Sequence, residues 1–414
     1  MAPSTASARE EILVVMATYP YPPKTGGEIV ACNNIQHLSK KYSLTIICLN
    51  GLPKDSAFEE CFQKIEIVGK AETSKPLTLL KYILNLFRGI PVHITAHYSN
   101  LMNKRVEQVF NSRKFVAVLV YGIHAMQYIP KEAFGRALVM IEDPDSIKHQ
   151  RWAQLPVNSI WSNLKLNITS WSFRLYEGRM LPKFAKIILL SQADINDMQS
   201  LSDISSYSCI TYGVDAREVT PLQDRIKNTI VFSGNMFHEP NVDGALFFLD
   251  EVFPLVLKQI PDAIFWLVGR SPDSRIVLAA KKYSENILIT GEVDDIFEYI
   301  KKAIVCVCPV RLKIGVQTKI LEALSVGTPV VTTSAGNSGI CGVSGKELWV
   351  EDDPVQFSRR VIDLLNQNGW ERLSHAGMNY IREKFTWQRS FNELQAIIHE
   401  VANSAELSTK AYEL

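Results

Sequence analysis

The sequence carries almost no surplus of either charge: 44 Lys and Arg stand against 43 Asp and Glu, a formal net charge of +1. That balance excludes a global field that would gather nucleic acid or an anionic membrane, so any anionic ligand must be held by a local site. Cysteine is scarce and odd in number, with seven residues at 32, 48, 61, 209, 306, 308 and 341. Scattered cysteines in a long chain do not read as a disulfide framework. Cys306 and Cys308 share one face of the apolar run AIVCVCP, a spacing also open to a metal pair. No second Cys or His pair follows at ligand spacing, and they read as core thiols. Long apolar runs are missing too. ILVVMA at 12–17 follows Arg9, Glu10 and Glu11 and leads into YPYPP, too short and wrongly flanked for a signal peptide or a membrane span. The longest uncharged stretch, Ala323 to Gly345, is rich in Gly, Ser and Thr and contains Pro329. No internal repeat and no low-complexity tract is visible. These absences lead us to expect a cytoplasmic protein.

What is present is a globular composition, 47% hydrophobic and 21% charged, in 414 residues. Such a chain is too long for one ordinary core and implies two or three domains. Short apolar runs at Ile12–Ala17, Leu44–Leu49, Val116–Tyr121, Leu138–Glu142 and Ile187–Ser191 read as strands buried on both faces. Helix-length stretches lie among them at Glu28–Lys40, Leu77–Phe87 and Trp161–Lys183. The second half repeats the theme, with strands at Thr229–Ser233, Ala263–Val268, Ile287–Thr290, Ile304–Pro309 and Pro329–Thr332. Its helices fall at Asn241–Gln259, Asp294–Ala303, Lys319–Ser325 and Val355–Asn366, with an amphipathic helix at Phe385–Ala402. Strands alternating with helices predict parallel sheets with right-handed crossovers. We therefore expect an α/β chain of two doubly wound units in tandem. The polar stretch Ala216–Asn228, which carries Pro221, reads as the linker. The expected division is 1–215, completed by the helix 386–414, and 216–385. Such folds bind ligands at the carboxyl ends of their strands.

The segment IGVQTKILEALSVGTPVV, residues 314–331, follows a strand and opens a helix near Thr318. Gly315 lets backbone pass close to a ligand, and the amides of Val316, Gln317 and Thr318 would sit at the positive end of the helix, where phosphate is favoured. Lys319 is a cation in the first turn, an unfavourable place unless an anion neutralises it. Glu322 lies one turn on, at a distance suited to the vicinal hydroxyls of a ribose. A surface Lys–Glu pair at spacing three explains these two residues equally well.

KILEALSVGTPVVTT resembles the nucleotide-binding stretch of family 4 glycosyltransferases, in which a helix bearing an essential Glu leads through Gly-x-Pro into a strand. Three more segments match that family in order: TGGEIVACNNIQHLSKKYSLTIIC with Gly26 and Gly27, YGVD at 212–215, and FTWQ at 385–388. The resemblance covers residues 12 to about 400. It implies the GT-B architecture of two facing Rossmann-like domains, with a C-terminal helix crossing back to the first domain. It also implies retaining transfer of a sugar from a nucleoside diphosphate; no aspartate motif for a divalent metal stands out, so no metal and no cofactor beyond that co-substrate is expected. By position, the family's roles fall on Gly26, Gly27 and Gly315 to Lys319 for the diphosphate and sugar, and on Glu322 for the ribose. Gly291, Glu292 and Val293 fall in the loop that reads the base, although a plain loop capped by Asp294 is an equal account. Gly234 and Arg270 lie at strand ends where a donor would sit. His124 in YGIHAM matches a family His that points toward the donor sugar. Glu142, Asp143 and Asp145 in MIEDPD are candidates to orient an acceptor, or members of an Asx turn. The family's acceptors are glycans, lipid-linked or small molecules.

The sequence departs from that pattern in two places. Ile314 stands where the family often has a first glutamate, and SGNMFHEPN at 233–241 lacks the family's basic pair. Diphosphate charge would then rest on Lys319, Arg270, Arg311 or Lys313. Two other readings stand beside transfer. One is a nucleotide-sugar 2-epimerase of the same fold. The other is an inactive membrane-associated scaffold, because Trp161–Lys186 mixes Lys165, Arg174, Arg179, Lys183 and Lys186 with Trp, Leu and Phe as a membrane-surface helix does.

Overall fold

The computed structural model describes residues 9–23, 25–50, 64–68, 84–86, 88–155, 159–201, 204, 206–215, 217, 219–313 and 315–412, with side chains as far as 405. Cys61, Ile314 and, apart from 84–86, the expected helix Leu77–Phe87 lie outside the described residues. In chain order the first half runs β1 (Glu11–Thr18), α1 (Gly26–Leu38), β2 (Ser43–Asn50), β3 (Lys64–Ile67), α2 (Val92–Ala96), α3 (Asn100–Ser112), β4 (Ala117–Tyr121) and β5 (Ala137–Ile141). It continues through α4 (Asp145–Trp152), α5 (Ile160–Met180), β6 (Lys186–Leu189), α6 (Gln192–Gln199) and β7 (Tyr207–Cys209). The second half begins β8 (Thr229–Ser233), α7 (Glu239–Phe247), a π turn at Phe248–Val252, α8 (Phe253–Gln259), β9 (Ile264–Val268), α9 (Ser274–Ala280) and β10 (Ile287–Gly291). After these come α10 (Phe297–Ile300), β11 (Val305–Cys308), α11 (Thr318–Ser325), β12 (Val330–Thr332), α12 (Ser334–Asn337) and β13 (Trp349–Val350). Three helices end the chain: α13 (Pro354–Leu365), α14 (Trp370–Lys384) and α15 (Trp387–Tyr412).

The chain divides into two compact units. Unit 1 comprises 1–149, 165–210 and 390–414, and unit 2 comprises 150–164 and 211–389. Each is a Rossmann-like domain built on a wholly parallel sheet. The strand order is β3-β2-β1-β4-β5-β6-β7 in unit 1 and β10-β9-β8-β11-β12-β13 in unit 2. Both orders reverse direction once, at β1/β4 and at β8/β11, the switch points where ligands bind in such sheets.

Burial on both faces explains why the interior strands are continuous apolar runs. Ile12 to Met16 of β1 are at most 2% exposed, each worth about 2 kcal/mol of transfer free energy before chain entropy is charged. Every strand expected from such a run is present, with ends moved by a residue or two. The edge strands β3, β7 and β13 escape that reading because they are short and half-buried. Ser191, expected at the end of a strand, instead caps α6, its Oγ accepting from Asp194 N at 3.1 Å. The expected helix Asp294–Ala303 shrinks to the single turn α10. Asp295, rather than Asp294, makes the turn before it, accepting from Phe297 N at 2.9 Å. The stretch read as a linker is fastened to unit 2. Arg225, 6% exposed, donates to Ala303 O at 2.8 Å, Thr328 Oγ1 at 2.6 Å and Val326 O at 3.0 Å. Cys306 and Cys308 are fully buried core thiols. The last helix docks on unit 1, where Lys41 Nζ donates to Gln395 Oε1 at 2.8 Å and His37 stacks on Phe391 at 3.8 Å.

Candidate active site

In unit 2 the ends of β8, β9 and β10 all turn on glycine. Gly234, Gly269 and Gly291 have φ of 148°, 143° and 70°. The turns are laced together, Gly234 N donating to Val268 O at 3.0 Å and Gly269 N to Gly291 O at 3.1 Å. A Cβ on Gly269 would lie 1.8 Å from the Gly234 carbonyl oxygen, so no side chain fits there. The motif reading picks out Gly234 and Gly291 but misses Gly269, although VGR repeats the same signal of a glycine ending an apolar run.

Lys319 comes from the first turn of α11 to this floor. Its Cε is 3.4 Å from where a Gly234 Cβ would be, and its ammonium stands 5.8 Å over the Phe232 ring. The side chain is buried, and its only hydrogen bond among the described residues goes to Gln317 Oε1 at 2.8 Å. A buried ammonium with a neutral partner is poorly compensated. Gln317 stands at the N-cap of α11 without a side-chain cap bond, behind Gly315 at φ 52°. Val316, Gln317 and Thr318 thus form the entrance to an uncapped helix, whose leading amides have no intrahelical partner.

Glu322, a turn further along, makes no hydrogen bond or ion pair through its carboxylate among the described residues. Burial raises its pKa, while Lys319 and Arg217 pull it down. Arg217 is a residue the motif reading misses, since it sits in a polar stretch without pattern. It lies over the Phe297 ring at 3.6 Å and 3.8 Å from Asp295. Of the basic residues expected to carry charge, Arg311 is taken: it forms a two-bond pair with fully buried Asp243, at 2.9 and 2.5 Å. Arg270, at the end of β9, has no side-chain partner among the described residues. Val293 and exposed Glu292 follow Gly291 in the loop before α10.

In unit 1 the switch point holds a cavity of about 320 Å³, lined by Thr18, Thr25, Gly27, Tyr121, Gly122, His124 and Glu142 among others. Gly26 and Gly27 form the first turn of α1 itself, two residues earlier than the apolar pattern indicates. Thr25 and Glu28 close a capping box around that turn, with bonds of 3.3 and 3.0 Å. The Gly27 amide donates to the Glu142 carboxylate. A Cβ on Gly27 would lie 2.2 Å from Glu142 Oε2, so glycine here admits a carboxylate to the helix N-terminus. The surrounding protein raises the Glu142 pKa, with Lys148 and the Gly27 bond acting against it.

His124 lies on a 3₁₀ turn after β4, its ring 4.6 Å from that of His97. Burial lowers its pKa to about 4, which leaves a neutral imidazole able to donate from one nitrogen and accept at the other. Asp143 and Asp145 do not line the cavity. Asp143 is pushed up to about 7 by burial and by Glu142 beside it. Asp145 is 7% exposed and ion-paired with Lys148 at 2.5 Å. Glu142 and His124 are therefore brought together on the cavity wall, while Asp143 and Asp145 lie outside its lining.

The comparisons with known proteins divide along the same lines. Over 395 residues, 93% of this chain and 98% of the other, the sequence is 20% identical to an uncharacterized 44.6 kDa protein in the cps region of Klebsiella pneumoniae. The fold matches HepE of Anabaena, solved in complex with UDP and glucose, with TM-score 0.67 and 11% identity over 95% of this chain and all of that one. It matches a glycosyltransferase from Rickettsia africae with TM-score 0.67 and 13% identity, covering 95% and 98% of the two chains. Likeness at these identities shows a fold: two Rossmann-like domains, as in the GT-B glycosyltransferases. Residues 227–367, all within unit 2, match the family model described as Glycosyl transferases group 1, and there the family signature lies.

Proposed function

We propose that this protein is a glycosyltransferase that moves a sugar from a nucleoside diphosphate to an acceptor hydroxyl. The observation that carries the proposal is Lys319, a buried ammonium that among the described residues has no carboxylate partner, beside an uncapped helix start and one turn before a Glu322 that among those residues is unbonded. Two phosphates at that position would satisfy the ammonium and the orphan amides, with Arg270 as a second cation. The Glu322 carboxylate would accept from the ribose hydroxyls, leaving the loop at Gly291 to Val293 for the base. UDP is the donor nucleotide to test first, because it is the ligand of the Anabaena protein.

Cleavage of the bond from sugar to diphosphate builds negative charge on the leaving group, and fixed amides with Lys319 stabilise that charge without reorganising. In unit 1 the cavity falls in the size range of small-ligand sites, about 300–1,000 Å³, and we assign it to the acceptor. Glu142, held by the Gly27 amide, would take the hydrogen bond of the acceptor hydroxyl, and neutral His124 would orient the sugar. Retention of anomeric configuration, independence from metals and membership of family 4 belong to this same reading. The test is nucleotide release: UDP-sugar with purified protein should liberate UDP faster when an acceptor glycan is added. Glu322→Ala should lower kcat/KM for the UDP-sugar by about 10- to 100-fold, the scale of losing hydrogen bonds to a charged group, with the melting curve little changed. Full activity of the variant would sink the assignment.

A further inference from the structure

Helix α5 buries one side, where Ser172, Phe173, Tyr176 and Glu177 pack inward. Its other side is uncovered among the described residues. Ile160, Trp161, Leu164, Ile168 and Trp171 are 80%, 76%, 51%, 45% and 52% exposed. At the α-helical angle these five fall within one arc of about 100°, in a stripe about 17 Å long. Single exposed apolar residues are ordinary, but a row of five with two tryptophans on one helix face marks a contact surface.

The charges beside the stripe are of one sign. Lys165 borders one edge and Arg174 the other, with Arg179 a turn beyond. All three are exposed, and none has an acidic partner among the described residues. The only acid of the helix, Glu177, is turned inward and accepts from Ser146 N at 3.1 Å. Among the described residues no helix is long and apolar enough to cross a membrane, so α5 can lie on a bilayer but not through it.

We propose that this face of α5 docks the protein on an anionic lipid bilayer, with the stripe at the boundary of headgroups and acyl chains and the three cations on lipid phosphates. Tryptophan favours that boundary, and basic residues gain from anionic headgroups. Charge argues against a second copy as the occupant, since a two-fold pairing would set Lys165 and Arg174 against their own equivalents. The inference does not depend on the assignment of the sugar site.

Cosedimentation of the full chain with vesicles tests it. We expect binding to phosphatidylcholine mixed with phosphatidylglycerol, weaker binding to phosphatidylcholine alone, and release at high salt. Replacing Trp161→Ser together with Trp171→Ser should weaken binding about tenfold or more, and Lys165→Glu with Arg174→Glu should abolish the preference for anionic lipid. Both pairs are exposed, and unchanged circular-dichroism melts would confirm that the variants fold. The proposal is overturned if wild-type protein stays in the supernatant with both vesicle types, or if both variants sediment as it does. Light scattering that shows a dimer lost in the tryptophan variant, with no lipid binding by the wild type, would overturn it in favour of a protein partner.

Discussion

Lys319 is asked to do two opposed things, and one substitution separates them. Its ammonium is buried in unit 2 against a neutral glutamine, which costs folding free energy that a bound diphosphate would return. Lys319→Met keeps the apolar stem and removes the charge. Without nucleotide, the melting temperature of the variant reads the burial cost of the ammonium against its attraction for Glu322. The variant should lose the rise in melting temperature that UDP gives the parent, which paired thermal melts would record. Gly269 and Gly27 both approach neighbours closely but differ in what an added methyl meets. At Gly269 it meets the Gly234 carbonyl, held by the sheet, at a φ of 143°. Gly269→Ala should therefore cost about 3 kcal/mol or more in urea denaturation. At Gly27 the methyl meets the end of a flexible side chain, Glu142. Gly27→Ala should leave stability nearly unchanged while displacing that carboxylate. If Glu142 orients the acceptor, kcat should fall by an order of magnitude or more with little change in nucleotide affinity. Single residues of this kind are half legible in sequence. A glycine that ends a strand can be read from its place, but the atom it makes room for cannot.

At the scale of elements, the contact of α5 with the start of α4 sets a pH dependence. Glu177 is 2% exposed and accepts from both the amide and the hydroxyl of Ser146. Burial pushes its carboxyl up to about 7 despite those bonds, whereas in the unfolded chain it titrates near 4.3. Between those values the native state holds a proton that the unfolded state has lost, so stability falls as pH rises through that window. Glu177→Gln removes the titration and keeps an acceptor for Ser146. From about pH 4.5 to 7.5, the wild type should lose about 2–3 kcal/mol more than this variant, measurable as diverging denaturant midpoints. Elements were legible in proportion to how fully they are buried. β1, β4 and β5 have no polar position to interrupt their runs, whereas β3 alternates as KIEI and β13 is two residues long. α10 was overestimated because Asp295 ties its backbone turn to a residue beyond the expected cap.

At the scale of the whole molecule, two separately cored units make ligand effects local. A nucleotide held in unit 2 at about 100 times its Kd stabilises the native state by about 2.7 kcal/mol. Calorimetry should show UDP raising the transition that includes unit 2, and Glu322→Ala should suppress that rise. The order of apolar runs and helices along the chain was enough to determine two parallel α/β units, because strands covered on both faces are mostly apolar, with an occasional buried Ser or Thr. Local spacing likewise placed Gly315, Lys319 and Glu322 around one helix start, since neighbours within a turn meet whatever the rest of the chain does. Which charges are free was decided only by tertiary structure. Arg311 is neutralised by Asp243 from 68 positions away, Arg217 comes beside Phe297 and Asp295, and the anion at the Gly27 amide is Glu142. Those are distances between segments remote in sequence, fixed by packing rather than by any pattern along the chain.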